Sequence, residues 1–150
     1  MARYASQTTV SSDRSRAEIE STLRRYGADG FAYMSEADRA IIGFRFNGRT
    51  VKFLLPLPDR KDFERTPDKH LWRSPEATDK AWEQGTRQRW RALSLCIKAK
   101  LEAVEAGIVS FDDEFLAHFV LPGGQTVGQR WGEEYRKMLD GGQSVPLLTE

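Results

Sequence analysis

Hydrophobic and polar positions change their period several times along the chain, and each change marks an element. Residues 1–14 are polar and rich in Ser and Thr; they read as an arm, with a short edge strand at Arg3 to Val10. Ser15 and Glu18 then stand at capping-box spacing, in which each side chain satisfies a free backbone N–H at a helix start. Ile19, Leu23 and Tyr26 recur at helical intervals and Gly27 occupies a stop position, so the pattern predicts a helix over 15–26. Phe31 and Tyr33 alternate with smaller residues and predict a first strand. Two alternating runs follow, Ala40 to Phe46 and Arg49 to Leu55, separated by Asn47-Gly48. Both turn residues tolerate the positive φ of a type I′ turn, so these runs form a hairpin. That turn sets the register: Phe46 faces Arg49, Arg45 faces Thr50, Phe44 faces Val51 and Ile42 faces Phe53. Ile42, Phe44, Val51 and Phe53 are thereby assigned to the core. Pro56 and Pro58 end the strand.

A charged stretch with two prolines, residues 59–79, reads as a loop, with Asp59 to Arg65 either a surface loop or a helical turn. Beyond it, Trp82, Thr86, Trp90, Leu93, Ile97, Leu101 and Val104 repeat at intervals of three and four. They predict one long amphipathic helix over about 79–106, closed by Gly107. Lys80, Arg87, Arg91, Ser94 and Lys98 fall on its opposite side. Ser110 is placed to cap a short helix carrying Phe111 and Phe115. Pro122 to Gly124 is a turn, and Thr126 starts a last helix with Val127, Trp131, Tyr135, Met138 and Leu139 inward and Gly141-Gly142 as its stop. Residues 143–150 read as a mobile tail. The sum is a single α+β domain over 1–150: an N-terminal helix, a three-stranded antiparallel sheet with an Asn-Gly hairpin, a long helix packed on the sheet, and short C-terminal helices.

Composition narrows the class. At 39% hydrophobic and 30% charged, the chain of 150 residues is too apolar for disorder and contains no run long enough to span a bilayer. Met1 to Val10 holds no apolar signal-peptide core, so a cytoplasmic location is expected, with no membrane partner. The lone Cys96 excludes an internal disulfide and a Cys-rich zinc site; its apolar helical neighbours predict a buried, inert thiol. With 23 basic and 22 acidic residues, the net charge is +1, so a nucleic-acid role requires local asymmetry rather than a globally basic surface.

Local asymmetry exists on two elements. Lys80, Arg87, Arg91 and Lys98 line up along the long helix, flanked by Arg89 and Lys100. Arg39, Arg45, Arg49 and Lys52 are read onto the outer face of the hairpin. Either row could track phosphates; the helix row could instead be a solvated face with ion pairs to Glu83 and Glu102, and the hairpin row could instead keep a β surface soluble and discourage edge pairing. Trp72, beside His70 and Arg73 in the charged loop, is either an anchor pinning the loop to the core or a stacking surface. Glu114 and His118 stand one helical turn apart, the one place where His and carboxylate converge, but Asp112 and Asp113 beside them fit first-turn acids that favour the helix dipole. No nucleotide-binding, metalloprotease, nucleophile-elbow or zinc motif is present, so no cofactor, metal or catalytic residue is assigned and a non-enzyme is expected. The candidate binding set is Arg45, Arg49, Lys52, Trp72, Arg87, Arg91 and Lys98.

The stretches Trp90 to Gly107, Phe111 to His118, Val120 to Val127 and Arg49 to Asp59 resemble a family of small proteins carried by tailed phages and prophages. That resemblance implies a phage origin and action in the cytoplasm of an infected bacterium; it transfers no catalytic residue. Two roles follow as expectations. One is an oligomeric protein of DNA metabolism that binds single-stranded nucleic acid, similar in outline to phage annealing proteins. The other is a counter-defence protein that binds a host immune protein or sequesters a nucleotide messenger.

Overall fold

The computed structural model describes Ala5, residues 7–142 and Leu147. Its elements, in chain order, are α1 (Ser12–Arg25), β1 (Gly30–Ser35), β2 (Arg39–Phe46), β3 (Arg49–Pro56), a 3-10 turn (Arg60–Phe63), α2 (Pro75–Glu105), α3 (Phe111–Phe115), a second 3-10 turn (Leu116–His118) and α4 (Val127–Gly141). This is the expected α+β arrangement. The expected strand at Arg3 to Val10 is not formed by Ala5 or by residues 7–10, and the rest of it lies outside the described residues. The tail assigned to residues 143–150 also lies outside them, save Leu147.

The hairpin register follows the turn. Asn47 and Gly48 both take positive φ, +48° and +75°, and Phe46↔Arg49, Arg45↔Thr50, Phe44↔Val51 and Ile42↔Phe53 are partners. β1 pairs with β2, giving the antiparallel order β1-β2-β3. One sheet face carries Ala40, Ile42, Phe44, Val51, Phe53 and Leu55, all buried against Trp90, Leu93, Ile97 and Leu101 of α2 and against Ile19 and Leu23 of α1. Phe115 of α3 closes this core, its ring edge-on to Phe44 and Phe53 at 5.9 and 6.2 Å. The outer edge of β3 is covered too, by a bridge between Val51 and Phe119 and by the Val120 N–H donating to the Thr50 carbonyl at 2.9 Å.

Two helix starts differ from the expectation. α2 begins at Pro75 rather than near 79, because Ser74 caps it and Pro75 sits in the first turn, where its missing N–H costs nothing. α1 begins at Ser12, and its cap is Ser11, whose side chain accepts from the Arg14 N–H at 3.1 Å. Ser15 is therefore not a cap: it is fully buried inside the helix, and its Oγ has no hydrogen-bond partner among the described residues. A buried hydroxyl without a partner costs about 1–3 kcal/mol. Substituting Ser15→Ala is expected to raise stability by about 1 kcal/mol, while Ser11→Ala lowers it by about 1 kcal/mol through the lost cap. Urea unfolding of the two variants distinguishes this from a Ser15 cap, which requires the opposite sign at Ser15.

Candidate functional site

The two predicted basic rows do not meet. Arg45 and Lys52 leave the sheet on the face turned away from α2, since Phe44 and Val51, beside them in the strands, are buried under it. Arg49 is not on that outer face. Its register partner is Phe46, so it belongs to the core side at the hairpin end, where its Nε and Nη2 grip both oxygens of Asp112 at 2.7 and 2.6 Å. That bidentate contact holds the Asp112 carboxyl below the usual carboxylate range. Arg45 pairs with Asp29 at 3.0 Å, Lys52 donates to the Gly124 carbonyl at 2.6 Å, and Arg39 pairs with Glu36. The outer sheet face, from Ala32 and Met34 through Ile41 and Gly43 to Thr50 and Leu54, has no aromatic ring on which a base could stack.

The helix row is largely built into the fold. α1 packs along α2 on the side that carries Arg91, which forms an ion pair with Glu18. Ser94, expected on the solvent side, is buried on the same line. Arg87 donates twice to Gln84, at 3.1 and 2.5 Å. Lys98 is exposed and, like Lys80, makes no ion pair among the described residues. Lys100 pairs with Glu114 at 2.8 Å. Trp82, placed in the apolar stripe, is only half-buried and donates its indole N–H to the Pro58 carbonyl.

Trp72 is no core anchor. It is 68% exposed, and Arg65 lies over its ring at 4.2 Å. The loop is pinned instead by Arg73, whose guanidinium donates to the carbonyls of Phe63 and Arg65. Cys96 is likewise exposed rather than buried.

Glu114 and His118 are each engaged elsewhere: Glu114 pairs with Lys100 at 2.8 Å, and the His118 ring stacks on Phe53 at 4.1 Å. No group of three or more His, Cys, Asp or Glu side chains placed to hold a metal is found among the described residues. Burial, with the Lys100 charge beside it, lowers the His118 pKa below its ordinary 6.5. The folded state therefore binds this proton less readily than the unfolded chain. Its contribution to stability is complete above about pH 6.5 and is lost as pH falls below that value. A denaturation series between pH 8 and pH 5 is expected to show this decline in the wild type and a smaller one in His118→Phe.

The surface that sequence periodicity mislocated is α4. Its capping box forms as the residue types require, Thr126 with Gln129. Yet none of its residues is buried: Trp131, Tyr135, Met138 and Leu139 are 40, 60, 71 and 80% exposed. Among the described residues the helix is seated at its start, where Gly128 lies against the second 3-10 turn; a Cβ at Gly128 would stand 3.0 Å from the Ala117 carbonyl oxygen. Leu116 of that turn is exposed beside it. No sequence signal separates a covered amphipathic helix from an uncovered one, because the stripe is the same in both. Among the described residues no helix is long and apolar enough to cross a membrane. In comparisons with known proteins, the chain matches no family model, no curated protein and no solved structure, so no residue role is transferred from a relative.

Proposed function

We propose that this protein is a non-catalytic binding protein, of the phage counter-defence kind, that docks α4 into an apolar groove of a host protein. One observation carries the reading: a helix of fifteen residues with Trp131, Tyr135, Met138 and Leu139 exposed along one stripe, none of which packs into the core formed by the described residues. Isolated exposed apolar residues are ordinary, but a contiguous aromatic and aliphatic stripe on a helix has the form of a helix-in-groove ligand. Trp and Tyr are also the residues that dominate binding energy at interfaces. The cations favour the same choice over a polymer: Arg45, Arg49 and Arg91 already face carboxylates of this chain, and the net charge is +1. The test compares wild type with Tyr135→Glu/Met138→Glu, first by sedimentation and then by capture from bacterial lysate, with any captured protein purified and its complex reconstituted. The expected result is a monomer that forms a stoichiometric complex, absent for the variant. Equal capture by both chains overturns the proposal, as does a wild-type dimer that the variant dissociates, since the groove is then a second copy.

A second reading, binding of single-stranded nucleic acid, rests on Trp72. A ring so exposed and already stacked by Arg65 offers its other face to a base, with Lys69 and His70 close in sequence. Titrating a labelled oligonucleotide at two salt concentrations is expected to show salt-sensitive binding that Trp72→Ala weakens by about 1–3 kcal/mol. No binding at low salt, or none lost at high salt, removes this reading.

A further inference from the structure

Between the segment that leaves β3 and the exposed side of α2 lies a cavity of about 500 Å³. Leu55, Pro58, Phe63, Ala92 and Leu93 form its apolar walls. A glycine makes room for it. Gly85 sits in the interior of α2, where glycine costs about 1 kcal/mol relative to alanine. A Cβ at that position would come within 2.6 Å of the Phe63 ring, so the absence of a side chain lets the ring lie against the helix and form one wall. The volume falls within the range of small-ligand sites, which combine apolar walls with a few polar groups.

Among the described residues, Arg89 is the only charged one in the lining, and no carboxylate accompanies it there. It forms no ion pair among the described residues, whereas nearby Arg60 is held by Asp79 at 2.6 Å and Arg73 by backbone carbonyls. On α2, the residues one turn away in either direction, Gly85, Thr86, Ala92 and Leu93, are uncharged. We infer that this cavity binds an amphipathic monoanion, whose hydrocarbon body fills the slot against Phe63 and Leu93 and whose carboxylate accepts from the Arg89 guanidinium. One guanidinium matches one negative charge; a cyclic dinucleotide brings two phosphates and polar sugars to walls that are hydrocarbon. The site is separate from the α4 surface and stands whatever α4 binds.

Cys96 supplies the readout. It is the chain's single cysteine, it is exposed, and it lines the same cavity. Alkylation of the folded protein by iodoacetamide is measured with octanoate, with 1-octanol and with acetate. Octanoate is expected to slow modification of Cys96 saturably, octanol to protect more weakly and acetate not at all. Replacing Arg89, which is exposed and takes no part in the core, by Arg89→Gln is expected to weaken protection by octanoate about tenfold and to leave octanol unchanged. An octanoate effect that does not saturate, equal protection by octanol, or an unaltered Arg89→Gln variant overturns the assignment. So does stronger protection by a cyclic dinucleotide than by octanoate.

Discussion

Replacing Phe115 by alanine is expected to remove about 3–5 kcal/mol of stability, the largest effect of any single substitution considered for this protein. The ring is fully buried and is the meeting point of three layers. It stands edge-on to Phe44 and Phe53 of the sheet, stacks on Phe111 at 4.6 Å, and has the Lys100 ammonium 5.8 Å from its centre. Edge-on aromatic pairs contribute about 0.5–1.5 kcal/mol beyond the area they bury, and truncation also leaves a cavity that a sheet and a helix cannot both move to fill. A domain of this size has about 5–15 kcal/mol in total, so Phe115→Ala comes close to unfolding. Phe115→Leu, which keeps most of the volume, is expected to cost less than about 1.5 kcal/mol if the neighbours repack. Urea unfolding of both variants checks the pair. A loss below about 1 kcal/mol for the alanine variant contradicts the central place given to this ring.

The second large effect concerns affinity rather than stability. If α4 enters a groove, Tyr135→Ala and Met138→Ala are each expected to weaken the complex by about 2 kcal/mol or more, roughly thirtyfold, as hot-spot truncations do. Calorimetric titration of the purified partner measures this. The same variants are expected to unfold within about 0.5 kcal/mol of wild type, because neither side chain touches a core. The combination is what discriminates. A variant that lost stability and affinity together would show α4 to be packed on its own domain, whereas loss of affinity alone places its apolar face in the complex.

These two expectations come from different depths of the chain. Phe115 belongs to a cluster visible as alternation and helical period, and its capping residue, Ser110, is in place, accepting from the Asp113 N–H at 3.1 Å. α4 is equally visible as an element, with its Thr126 cap and glycine stop, but its period predicts an inward stripe that the fold leaves exposed. The same division holds for the charged residues. The line Arg87, Arg91, Lys98 is real on α2, but periodicity assigns one apolar face per helix, and α1 brought a second apolar face, Ile19 and Leu23, that needed cover. α2 therefore packs on two sides, which drew Arg91 onto Glu18 and buried Ser94. Arg49 was displaced from the outer-face set for a simpler reason: the register that placed Phe44 and Val51 inward also places Arg49, two residues before Val51, on that side.

What the sequence determined by itself is local. Backbone conformation at Asn47-Gly48, the alternation of the strands, the helical periods and the caps at Ser110 and Thr126 depend on a residue and its near neighbours. Those interactions are present in the chain before it folds. The exceptions within that local layer, Ser11 in place of Ser15 and Pro75 as a helix start, arise where two residues of similar capping chemistry lie close together and packing selects between them. Packing in space sets the rest: which cations are neutralised, that Trp72 and Cys96 are exposed, that a cavity opens beside Phe63 and Arg89, and that the described residues leave the apolar face of α4 uncovered. Each of those depends on what stands opposite a side chain in space. A helix or strand period states which face is apolar; it does not state what, if anything, lies against it.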